Sequence, residues 1–142
     1  MAKKREEGSF ILEAQQGRIY IEEEVVAALA GLATAECYGV VGLAPRGFSE
    51  GLAEILHRDS ISRGVKVEGQ EGKLSVEVNV VIGYGTRISE VARNIMSTVK
   101  YTVEDLTGLK VGKVDVFVRS VQVTEGKGTQ QTRRSRVWQL KG

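Results

Sequence analysis

LSVEVNVVIGYGTRISEVARNIMSTVKYTVEDLTG, residues 74–108, decides the fold, because its apolar period changes from two to about 3.6 across one turn. Leu74, Val76, Val78, Val80 and Ile82 alternate with Ser75, Glu77 and Asn79, with Val81 as a departure. That alternation puts the two sets on opposite faces of a strand with one wet side. Gly83-Tyr84-Gly85 reads as a turn. Ile88, Val91, Ala92, Ile95, Val99, Val103 and Leu106 then recur on one side of a long helix that stops before Gly108. Thr86 stands where a capping hydroxyl is wanted, and Glu90 favours the helix dipole.

Upstream, Glu71-Gly72 between Val65, Val67 and Leu74 is a hairpin signal. Ser49 is placed to cap a short lid helix over residues 50–59, with Leu52, Ile55 and Leu56 on its apolar face, and Gly42 to Gly51 reads as a loop. From Glu22 to about Tyr38, Val25, Val26, Leu29, Ala33 and Cys37 form a helical stripe that Gly39 ends. Residues 18–21 predict a short edge strand. Downstream, Val111 to Val123 predicts a long strand whose phase change near Arg119 and Ser120 asks for a bulge. A long helix between two strands suits a parallel crossover. The reading is an α+β fold: a small mixed sheet covered by two main helices, with a short lid helix and a basic flexible C-terminal tail. It divides into a flexible segment 1–15, a domain over 16–125 and the tail 126–142.

With 142 residues, 42% of them hydrophobic, the chain is long enough for one ordinary domain with a real core. Its mean hydropathy is −0.13, and no apolar run approaches the roughly 18 residues that span a bilayer. Phe10-Ile11-Leu12 is too short for a signal-peptide core, so a cytoplasmic location is expected. Cys37, the one cysteine, has no partner for an internal disulfide and suits a buried helical position. The formal charge of +2 is uneven: residues 8–125 carry 12 basic against 16 acidic side chains. Lys3, Lys4 and Arg5 stand at one end, and Lys127, Arg133, Arg134, Arg136 and Lys141 follow the last acid, Glu125. Such an arm contacts anionic partners or simply aids solubility.

Chemistry finds little support in the pattern. The sole histidine, His57, has Arg58 and Asp59 beside it but no zinc-ligand spacing. No serine lies in a Gly-x-Ser-x-Gly elbow. Gly39-Val40-Val41-Gly42 matches the Gly-x-x-Gly clamp of KH domains only superficially, since both middle residues are apolar, and Ile88 stands where a dinucleotide motif needs its third glycine. Glu104 and Asp105 oppose the dipole at the end of the long helix, with Lys100 one turn back as an ion-pair partner for Glu104. A pocket between Pro45-Arg46 and the lid helix, holding His57 and an acid, would revive a small-molecule enzyme.

Gly17-Arg18-Ile19-Tyr20-Ile21 with Glu24-Val25-Val26, then Ala35-Glu36-Cys37-Tyr38-Gly39-Val40-Val41-Gly42-Leu43, then Arg63-Gly64-Val65-Lys66-Val67 form an ordered series. Ile82-Gly83-Tyr84-Gly85, Ile88-Ser89-Glu90-Val91, Val103-Glu104-Asp105-Leu106-Thr107-Gly108 and Val114-Asp115-Val116 continue it. Across about residues 16–123 the series resembles the alkaline shock protein family. The resemblance implies a bacterial protein tied to envelope or alkaline stress, without catalytic residues or cofactor. It also implies a cytoplasmic adaptor or scaffold, held at the membrane by a small membrane-anchored protein partner and capable of self-association. The tail supplies the candidate partner-binding residues Arg133, Arg134, Arg136 and Trp138. An alternative is a nucleic-acid-associated regulator that places the three arginines on phosphates, and the tail is equally suited by charge to an anionic membrane.

Overall fold

The computed structural model describes residues 3–5, 8–47 and 55–123. In chain order these form β1 (Lys3–Arg5), β2 (Ser9–Ala14), β3 (Gly17–Glu22), α1 (Glu23–Ala35) and β4 (Val40–Leu43). A 3-10 helix (Arg58–Gly64), β5 (Val65–Gln70), β6 (Lys73–Gly83), α2 (Ile88–Thr107) and β7 (Val111–Gln122) follow.

β6 is the centre of the larger sheet. One of its edges is shared end to end by two strands, both antiparallel to it: β5 from Val65↔Val78 to Gln70↔Lys73, and β4 from Leu43↔Val80 to Val40↔Ile82. β7 lies parallel on the other edge, with α2 as the crossover. The expected hairpin joins β5 to β6 through Glu71 and Gly72, whose φ values of 52° and 82° are the paired left-handed positions of a tight two-residue turn. The expected bulge is present too, because Val80 pairs with Val118 whereas Val81 pairs with Ser120.

Val76, Val78, Val80 and Ile82 are fully buried against Val26 of α1 and Val91, Ile95, Val99 and Val103 of α2. Both helices therefore cover one face of the sheet, as the two apolar periods require. The long stripe is shorter than expected at its ends, where Ile88 and Leu106 are exposed. Thr86 does not cap α2 either. Its hydroxyl donates to the Gly83 carbonyl at 2.9 Å, closing the preceding turn, and the residue at the cap position is Arg87. In α1 the buried face is Val26, Ala27, Ala30, Ala33 and Thr34, which leaves Val25 exposed, and the helix ends at Ala35, before Gly39.

Two sequence expectations need correction. Residues 1–15 are not simply a flexible lead-in: β2 pairs with β3 over six residues, from Ser9↔Glu22 to Ala14↔Gly17, and Phe10 and Ile11 are buried. Phe10 joins the central core, and Leu12 approaches Gly108 at the end of α2. The connecting turn is Gln15-Gln16, which carries none of the usual hairpin residues. Of the short helix expected over 50–59, residues 50–54 lie outside the described residues and 55–57 are non-helical, while a 3-10 helix spans Arg58–Gly64.

Asn79 marks the place where the shared edge of β6 passes from β5 to β4. Its carbonyl accepts Ala44 N–H at 3.0 Å, just past β4. Its amide nitrogen donates to the Gly64 carbonyl at 3.0 Å, just before β5, while its side-chain oxygen accepts Arg119 Nε–H at 2.7 Å. A side chain added at Gly64 would stand 2.8 Å from the Ala44 carbonyl oxygen, so the two strand ends abut. The polar face of β6 is thus wet at Ser75 and Glu77 but sealed at Asn79.

Candidate docking groove

α1 and α2 lie side by side above the sheet, and their facing residues follow helical spacing. Leu29, Leu32 and Ala33 form an aliphatic wall on α1, while Asn94, Thr98 and Thr102 repeat every four residues along α2. Between them runs a groove of about 450 Å³. Cys37 lies in its floor, Glu36 and Arg58 stand on its rim, and two exposed apolar side chains mark its length: Tyr38 (82% exposed) and Leu106 (61%). A second hollow, of about 390 Å³, continues past Tyr38 and Asn94 to Gly85, Thr86, Arg87 and Glu90. Apolar walls with uncharged hydrogen-bonding groups between them suit a short segment with one or two apolar anchors.

Cys37 is built for packing. Its thiol donates to the Ala33 carbonyl at 3.5 Å, and burial pushes its pKa above the ordinary value, opposed by a hydrogen bond with Thr98. At neutral pH the group is a protonated thiol, which is a poor nucleophile.

The acid pair at the end of α2 resolves into a clamp. Glu104 Oε2 accepts Lys100 Nζ–H and the Val111 backbone N–H, each at 2.9 Å, and Lys100 also donates to the Val111 carbonyl at 2.9 Å. The helix end is thereby tied to the first residue of β7. Chiefly the Val111 N–H, then Lys100, hold the Glu104 carboxyl below its ordinary value. A carboxylate depressed in the folded state stabilises the fold above its unfolded value, near 4.5, and the contribution is lost as pH falls through the lower folded value. Glu104→Gln should therefore cost about 1 kcal/mol at neutral pH, the usual scale for a hydrogen bond. Its urea midpoint should converge on that of the unsubstituted protein as pH drops well below 4.5. A constant gap across that range would assign the effect to packing.

The other sequence candidates are not brought together. His57 is exposed, just before the 3-10 helix. A hollow of about 310 Å³ does lie beside Arg46, but its lining is Glu23, Glu24, Ala27, Ser62, Arg63, Val65 and Val67, without His57. Among the described residues, no group of three or more His, Cys, Asp or Glu could hold a metal ion, and no helix is long and apolar enough to cross a membrane. Arg133, Arg134, Arg136 and Trp138 lie outside the described residues. Of the stripe read for α1, Val26, Ala33 and Cys37 are buried, while Val25 is exposed and Leu29 lines the groove, and the Asn94-Thr98-Thr102 repeat is the groove's main sequence sign.

Fold and groove together define a small α+β domain with a partly apolar groove between its two main helices. The chain matches the alkaline shock protein 23 family, described as having a cell envelope-related function, over residues 12–123, and it belongs to that family. This is the alkaline shock and stress-response group that the sequence resembles, and its family-level role is envelope-related and non-catalytic. The chain is 42% identical over 117 residues to the uncharacterized protein YloU of Bacillus subtilis, covering 82% of this chain and 98% of that one. It is 32% identical to the uncharacterized protein Spy1614 of Streptococcus pyogenes, covering 79% and 93% of the two chains. A stress response regulator gls24 homolog of S. pyogenes is 25% identical, covering 79% of this chain and 63% of its own length. No solved structure matches.

Proposed function

We propose that the chain is a non-catalytic adaptor or scaffold in bacterial envelope homeostasis and stress response, held at the membrane through a membrane-anchored protein partner. The observation that carries this reading is the α1–α2 groove, a partly apolar recognition surface on a domain of an envelope-related family. The stress-regulator name of a related streptococcal protein supports the regulatory side of the reading.

Tyr38 and Leu106 are the anchors to remove, since both are exposed and neither supports the core. Truncating an apolar anchor at an interface typically costs about 1–2 kcal/mol. Tyr38→Ser combined with Leu106→Lys should weaken the affinity for a partner purified from membrane fractions by about tenfold or more. Cooperative unfolding should persist. Undiminished, stoichiometric binding by the double variant would move the partner site off the groove. The second reading, a nucleic-acid-associated regulator, is favoured by the basic run after Glu125. Salt-sensitive nucleic-acid binding that disappears when Arg133, Arg134 and Arg136 become serine would select it.

A further inference from the structure

We infer that the C-terminal segment around Val137, Trp138 and Leu140 is the groove's own intramolecular occupant, so that a partner must displace it. Three observations carry the inference. The first is where the described chain ends. The Gln122 carbonyl at the end of β7 accepts Tyr84 N–H at 2.9 Å, and Gly83 N–H in turn bonds the Gly39 carbonyl at 2.9 Å, next to Tyr38. The chain therefore leaves the sheet beside the end of the groove marked by Tyr38.

Reach is the second. From Val123 to Trp138 an extended chain covers about 50 Å, whereas the α2 wall from Asn94 to Leu106 is about 18 Å long. The third is chemistry. The segment after Glu125 is polar and basic except for Val137, Trp138 and Leu140, and the groove offers the aliphatic wall of Leu29, Leu32 and Ala33 that an indole and two aliphatic chains would cover. Charge does not decide the matter, because Glu36 and Glu90 near the groove are matched by Arg58 and Arg87. The apolar wall does. This extends the adaptor reading to regulation of the same surface, but the docking itself can be read with no partner present.

Trp138 is the only tryptophan in the chain, so fluorescence excited at the red edge of the absorption band, where the four tyrosines do not absorb, reports on it alone. In the purified full-length protein its emission should be blue-shifted and shielded from a soluble quencher, independently of protein concentration. In the Tyr38→Ser, Leu106→Lys variant, checked for cooperative unfolding, emission should move to that of a solvated indole and quenching should rise to match. Solvated emission in the unsubstituted protein would overturn the inference. So would a blue shift that survives in the variant, which places the indole elsewhere, or one that vanishes on dilution, which makes the occupant the tail of a second copy. A null result here leaves the partner-affinity test of the adaptor reading standing.

Discussion

Val99→Asp should remove cooperative folding or lower stability by about 4 kcal/mol or more, the range reached when an unpaired charge is placed in a core. Val99 is fully buried midway along α2, in the same cluster as Val76, Val78 and Ile95. Among the described residues the buried polar side chains are Thr34 and Asn79, neither of them basic, so the new carboxylate has to be desolvated unpaired or take up a proton. A domain of this size has about 5–15 kcal/mol in total, so the loss is a large fraction of it. Met96→Asp, three residues earlier on the same helix but 40% exposed, is the control and should change stability by no more than about 0.5 kcal/mol. Urea denaturation of the two variants decides the point. Similar midpoints would mean that the buried face of α2 has been misassigned.

Asn79→Leu comes next, with an expected loss of about 2–4 kcal/mol despite the near-conserved volume. The substitution deletes the bond to the Gly64 carbonyl and the charge-assisted bond from Arg119. It also leaves that carbonyl without its side-chain donor at a position closed to solvent. Arg119→Leu alone deletes the same Arg119–Asn79 bond from its other side, so the double variant should lose less than the sum of the two single changes. Denaturation midpoints of all four proteins form the test. Strict additivity would show that Arg119 and Asn79 do not act as a unit.

What was legible in the sequence depended on period. β6, α2 and the hairpin between β5 and β6 were readable because each repeats its apolar spacing over several residues and is bounded by glycine. The bulge near Ser120 was readable for the same reason, as a slip in an otherwise regular alternation. β2 was not, because an apolar run of three residues resembles a loop until a partner strand covers it. Its burial at Phe10 comes from joining a core assembled from residues far along the chain. Asn79 shows the complementary failure. Alternation correctly placed it on the polar face, yet no local signal says that two strand ends meet over it. The groove required two helices to be placed side by side, which the spacing within either helix does not state. Candidate partner-binding residues on the tail could be nominated by composition, but composition does not say whether they touch anything.

The abutment of β4 and β5 along one edge of β6 also bears on the chain between them. Ala44 and Gly64 are fixed at neighbouring points, and Arg46 N–H bonds the Arg63 carbonyl at 3.0 Å, so the intervening stretch leaves the sheet and returns almost to where it left. Leu56 and Ile61 on the return path are buried in the core, and Leu56 N–H bonds the Leu43 carbonyl at 2.8 Å, so only the part between Gly47 and Ile55 is left to close as a ring, and length added there costs mainly closure entropy. That quantity grows only logarithmically with length, by about 0.6 kcal/mol for each doubling of a flexible loop. Relatives can therefore differ widely in the length of this stretch while keeping the same sheet, and an inserted peptide or tag is best accommodated there.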